Sequence, residues 1–167
     1  MTSGTHCPNG LLQTMSEELV FLAQPVLEPS KRFLQFWEAR PSDGLVFLRD
    51  VPSRAIASLL RNIIIWDAVG DWSDARVRLM GSGLLFRFGK ELKGSLLSEL
   101  FAADEYTQHL ALLRRAYYDN APVLARSCLR TGGMYVMALE IIVVPLVAPD
   151  HTLPMAMVCV HPCNLAG

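Results

Sequence analysis

At 167 residues with a net charge of −1, the chain is long enough for one domain and has no basic excess to hold a nucleic acid or an anionic membrane by charge. A hydrophobic fraction of 51% with positive mean hydropathy predicts a rich core plus apolar surface covered by a ligand or partner. The four cysteines, Cys7, Cys128, Cys159 and Cys163, are too few for a disulfide framework. No basic segment leads into an apolar run at the N-terminus, and no run approaches the roughly 18 apolar residues of a bilayer span, so reduced thiols and a cytoplasmic location are expected.

In chain order, residues 1–10 are polar, with Gly and Pro and no periodicity, and read as a tail. Ser16 could cap a short helix over 16–23, with Leu19, Val20 and Leu22 apolar, before Pro25 and Pro29 interrupt. Ser30 then begins a better helix. Phe33, Leu34, Phe36 and Trp37 form an aromatic stripe at i, i+3 and i+4 spacing, and Pro41 with Asp43-Gly44 stops it. Residues 45–48 are briefly extended, and Pro52 starts a helix through Arg61.

Residues 63–69 are β-branched and apolar, as in a central strand, and Asp71-Trp72-Ser73-Asp74 is turn chemistry leading into a second strand. Arg76, Val77, Arg78 and Leu79 alternate charged and apolar, the signature of a half-buried strand that Gly81 ends. Leu84, Leu85 and Phe88 recur at helical spacing between Gly81 and Gly89, and a further short helix follows Gly94. A chain bent this often around something it does not itself fill builds a small pocket.

Asp104 is a candidate N-cap for the longest helix, 104–120, whose apolar stripe is Tyr106, Leu110, Leu113 and Tyr117. Residues 123–130 and 134–145 then form a hairpin through Thr131-Gly132-Gly133, and 153–160 is the last strand. Strand 134–145 is apolar on both faces, Tyr135, Met137, Leu139 and Ile141 on one and Val136, Ala138, Ile142 and Val144 on the other, around a lone Glu140. Since an antiparallel strand normally leaves one face to water, a second cover is needed, and the aromatic helix 30–40 is the expected one. Five antiparallel strands with helices on one face and an N-terminal helical extension make an α+β fold. The expected divisions are a tail and short helix at 1–28, a domain at 29–163 and a tail at 164–167.

The chemical motifs are weak. Gly81-Ser82-Gly83 lacks the third glycine and the βαβ context of a dinucleotide site, and Ser82 is not in a hydrolase elbow, so a strand-end turn is expected. Cys159-Val160-His161-Pro162-Cys163 has metal-ligand residue types, and His6-Cys7 could add more, but a convincing second cluster is missing; no metal is expected. Arg114-Arg115 reads as a solvated helix face.

The strand ending in Gly81, the run Phe88-Gly89-Lys90-Glu91-Leu92-Lys93-Gly94, the long helix, the turn at Ala121-Pro122 and the three closing strands together resemble a PAS domain. More narrowly, Trp37 and Pro52-Ser53-Arg54 ahead of the first strand resemble a short, stand-alone proteobacterial PAS-like family. The resemblance covers nearly the whole chain. It implies a non-enzymatic sensory or interaction module that binds a small apolar or amphipathic molecule between sheet and helices and signals through dimerisation or a partner protein.

Some PAS domains carry haem on a helical histidine. His109 lies on the corresponding helix, about 60° from the stripe's centre, and is read instead as a partly exposed residue near Glu105. The Asn-Cys-Arg-Phe motif of flavin photosensors is missing, and no cofactor is expected. The expected pocket is lined by Leu85, Phe88, Leu96, Leu110, Leu113, Met137 and Leu139, and the expected homodimer contact is Phe33, Phe36 and Trp37. A small isomerase- or dehydratase-like pocket enzyme is the opposing class; it would show His with Asp or Glu pointing into the cavity. A structural dimer with a filled core is the third.

Overall fold

Six antiparallel strands run in the order β1-β4-β5-β6-β2-β3 in the computed structural model, which describes residues 16–85, 89–132 and 134–163. The strands are β1 (Ser16–Phe21), β2 (Ile63–Val69), β3 (Asp74–Met80), β4 (Val123–Thr131), β5 (Met134–Val147) and β6 (Pro154–Cys163). The helices are α1 (Glu28–Glu38), α2 (Leu97–Leu100) and α3 (Ala103–Asp119), with 3-10 segments at Arg54–Asn62 and Ser82–Leu84. The hairpins β2–β3 and β4–β5 fall where β-branched runs meet turn residues, and β6 pairs with both β5 and β2.

Both faces of β5 are covered. Leu139, Ile141 and Val143 lie in one core with Leu112, Leu113 and Ala116 of α3, while Ile142, Val144 and Leu146 lie in a second core with Phe33 and Trp37 of α1. Ile56 and Leu59 of the 3-10 segment join that second core. Helices therefore flank the sheet on both sides, with α1 as the second cover that the doubly apolar strand requires.

The structure corrects the sequence reading of the N-terminal segment. Residues 16–21 form a strand, not a helix, with Glu17 opposite Leu129, Leu19 opposite Ser127 and Phe21 opposite Ala125. So short a helix is marginal alone because nucleation is unfavourable, whereas the edge of β4 offers a complete ladder. This sixth strand builds part of the segment expected to be a tail with a short helix into the sheet.

At α1, the helix starts two residues before Ser30, with Pro29 in its first turn and Leu27 as N-cap without a capping side chain. The missing cap comes from Glu140 across the sheet. Its fully buried carboxylate accepts the backbone N–H groups of Val26 and Leu27 at 3.1 Å. Ser30 is itself buried. Likewise α3 starts at Ala103, with Ala102 rather than Asp104 as its N-cap.

Trp72, in the β2–β3 turn, takes φ 56° and is fully buried near Tyr117, so a residue read as turn chemistry is core. Gly81 does end β3, but its reason is close approach. A Cβ there would lie 2.4 Å from the carbonyl oxygens of Leu60 and Arg61. The glycine pair is thus explained by backbone packing against Arg54–Asn62.

Candidate functional site

Between the α3 face of the sheet and its helical cover lies a partly open cavity of about 60 Å³. Its floor is Ile64 and Trp66 of β2, Leu139, Ile141 and Val143 of β5, and Val158 and Val160 of β6. Leu84, Leu97, Phe101, Leu112 and Leu113 form the roof. The period of two along each strand places every second residue on this face, and the helices supply leucines because they too are amphipathic.

Two polar residues complete the wall, Glu17 from β1 and His109 from α3. The Glu17 carboxylate lies 2.6 Å from His109 Nε2, and its other oxygen accepts the Ser127 hydroxyl at 2.5 Å. Both acidic and basic side chains are withdrawn from water, 3% and 16% exposed. The Phe101 ring stacks on the imidazole with centroids 4.3 Å apart. His109 is thereby held between an aromatic face and a carboxylate, the second of which comes from the strand that sequence reading took for a helix.

Of the seven residues expected to line the pocket, Leu113 and Leu139 do so. Leu110 is buried in the same core and Met137 packs half-buried against it, without either reaching the cavity wall. Leu96 is half-buried away from the wall, and Leu85 is 43% exposed, because the 3-10 segment turns Leu84 inward in its place. Phe88 lies outside the described residues.

The buried face of α3 is wider than the stripe read from spacing. Leu110 and Leu113 are buried in the core as expected, and His109, Leu112 and Ala116 extend that face to one side. Tyr106 and Tyr117 are half-buried flanks, and the Tyr106 hydroxyl donates to the Ser73 carbonyl at 2.5 Å. Small Ala116 carried the missed signal. His109 consequently pairs with Glu17 instead of Glu105.

The aromatic stripe of α1 is the expected cover of the sheet's second face. Phe33 is 0% exposed, Trp37 is buried and Phe36 half-buried, all packed with the chain's own second core. Covering β5 and β6 leaves these side chains little area for a second copy.

On that second face, Cys159, His161 and Cys163 alternate along β6 and share one side, with Cys159 Sγ 3.5 Å from His161 Nδ1. At about 3.4 Å per strand residue, the outer two are too far apart to share an ion. Among the described residues, no three His, Cys, Asp or Glu side chains are placed to hold a metal. His6 and Cys7 lie outside the described residues. Burial pushes the Cys159 thiol up to about 12, with the Glu140 charge adding to it, and burial lowers His161 against the opposing pull of Glu140.

No helix among the described residues is long and apolar enough to cross a membrane. A family model described as "PAS domain" matches residues 27–160. No curated protein and no solved structure matches the chain.

Proposed function

The chain belongs to the PAS domain family, and from that premise we propose that it is a non-enzymatic sensory and interaction module whose signal is a small apolar or amphipathic molecule held between the sheet and α3. The observation that supports this is the apolar cavity itself. Protein interiors are close-packed, and an apolar void this size loses the contacts its lining atoms would otherwise make, so its retention fits a bound guest. At about 60 Å³ it is under half the roughly 150 Å³ of an apolar cavity that accommodates benzene, which favours a guest of a few heavy atoms. Anything larger requires the wall around Leu84 and Leu97 to shift.

Output is proposed to pass through contact with a partner protein or through dimerisation. The aromatic residues of α1 are largely committed to the core, so the surface favoured for a homodimer is the β1 edge, where Val20 and Phe21 stand exposed beside a strand side with no partner among the described residues. Sizing of the wild type against Phe21→Glu tests this, and a monomer at high concentration would remove the dimer from the proposal.

The ligand reading is tested with xenon as an apolar probe and with native mass spectrometry of the full chain. Wild type should shift the xenon resonance saturably or retain a small molecule. Leu113→Trp, which pushes an indole into the cavity, should abolish both while remaining folded. Absence of both signals in the wild type would overturn the reading in favour of a filled structural domain.

A second reading has one observation behind it. A pocket enzyme was expected to aim His with Asp or Glu into its cavity, and His109 with Glu17 meets that description. Their geometry differs from a nucleophilic triad, because Glu17 stands between Ser127 and His109 and the histidine does not bridge acid and hydroxyl. If the pair performed acid–base chemistry, a bound guest would be converted; recovery of the guest unchanged after prolonged incubation is the outcome expected of the sensor.

A further inference from the structure

We propose that Glu17 is the specificity determinant of this cavity and that its guest is a short apolar body ending in a hydrogen-bond donor, an alcohol or an amine rather than a carboxylate. The inference rests on the reading of the cavity as a ligand site.

Three observations carry it. First, the polar groups are concentrated: an otherwise hydrocarbon wall takes Glu17 and His109, with Ser127 behind them. An ionised carboxylate only accepts hydrogen bonds, so a donor head is stabilised against it and an anionic head is repelled. The low-polarity surroundings strengthen both effects relative to water.

Second, stability alone is a poor reason for a buried Glu–His pair. Well-packed apolar residues in the same place are commonly as stable, because taking polar partners out of water offsets most of their attraction. A carboxylate withdrawn to 3% exposure yet lining a void is placed for a guest.

Third, Glu17 precedes the matched span of 27–160 and enters through β1, a strand on the sheet edge. The apolar chamber is made by the domain's own strands and helices, whereas its acidic end is added by a separate segment. Selectivity is therefore a property of this chain's N-terminal strand.

The experiment compares ethanol, ethylamine and acetate, with xenon as the headless control, by competition and ligand-observed NMR on the full chain. Ethanol and ethylamine should each bind at least about tenfold more tightly than acetate, the size of effect expected for a hydrogen bond to a charged group. A lead for the amine identifies a cationic head and a lead for the alcohol a neutral one. In Glu17→Gln, whose amide both donates and accepts, that ranking should collapse while xenon still binds. Equal or tighter binding of acetate by the wild type, or an unchanged ranking in a folded E17Q protein, overturns the proposal with the cavity reading intact. Loss of xenon binding in the wild type overturns the cavity reading itself. The wild-type ranking decides the matter whether or not E17Q folds.

Discussion

Glu140 is the residue whose replacement most directly tests how the second face of the sheet is closed. Its carboxylate is fully buried and accepts the N–H of Val26 with both oxygens and that of Leu27 with one, at the positive end of α1. Hydrogen bonds to a charged group contribute about 1.5–3 kcal/mol each. Gln at 140 keeps one acceptor oxygen and turns a donor towards the helix start, so it loses roughly one such bond, about 2 kcal/mol. Ala loses both bonds and leaves a void, about 3–4 kcal/mol, moderated because exposed Val26 can recruit water. For a chain of this length, about 2 kcal/mol corresponds to a fall in Tm of roughly 4–8 °C. Thermal melts of Glu140→Gln and Glu140→Ala give the global number. Hydrogen exchange gives the local one, with α1 amides exchanging ahead of α3 amides. If E140Q melts within about 1 °C of wild type, or if α1 and α3 lose protection equally, the long-range cap is not what holds α1 on the sheet.

Gly81→Ala places a Cβ 2.4 Å from two backbone carbonyl oxygens and should destabilise by at least about 1–3 kcal/mol; Gly89→Ala has open space but φ +77°, and should be milder, so urea titrations that rank them the other way would refute the close-packing argument. Cys159, with its folded pKa raised from 9.0 to about 12, stays a thiol at neutral pH and should resist thiol reagents until the protein unfolds. The same shift means that the unfolded chain loses this proton first, so its contribution to stability is intact below about pH 9 and lost as pH rises from there towards 12. His161 works in the opposite direction. Its lowered pKa makes the unfolded state bind the proton first, so stability should decline as pH falls below about 6.5, and His161→Gln should flatten that limb of a Tm-versus-pH curve.

Much of the fold was legible in the sequence because local patterns and tertiary demands agree there. Residues 63–69 are β-branched without interruption and become β2; strand 134–145 is apolar on both faces and acquires a cover on each. The run from Asp104 to Asn120 could be placed to within a residue as a helix. The order of elements and the motifs set along it were enough for the PAS resemblance that the family match bears out.

Elsewhere the deciding partner is distant in sequence. Nothing in 16–21 states that the edge of β4 will be available, and without that edge the segment's own preferences are too weak to choose strand over helix. The lone Glu140 is a mismatch in an apolar strand until α1 sets two backbone N–H groups against it, 113 and 114 residues away in the chain. His109 sits at the margin of a stripe drawn through the largest side chains. The buried face extends past that stripe to Leu112 and small Ala116, and on that side the imidazole meets Glu17. Local periodicity determined which segments would be strands and helices and roughly what they would bury. Tertiary packing alone decided which polar side chains would be drawn inside, because a buried charge is tolerated only where the fold delivers its partner.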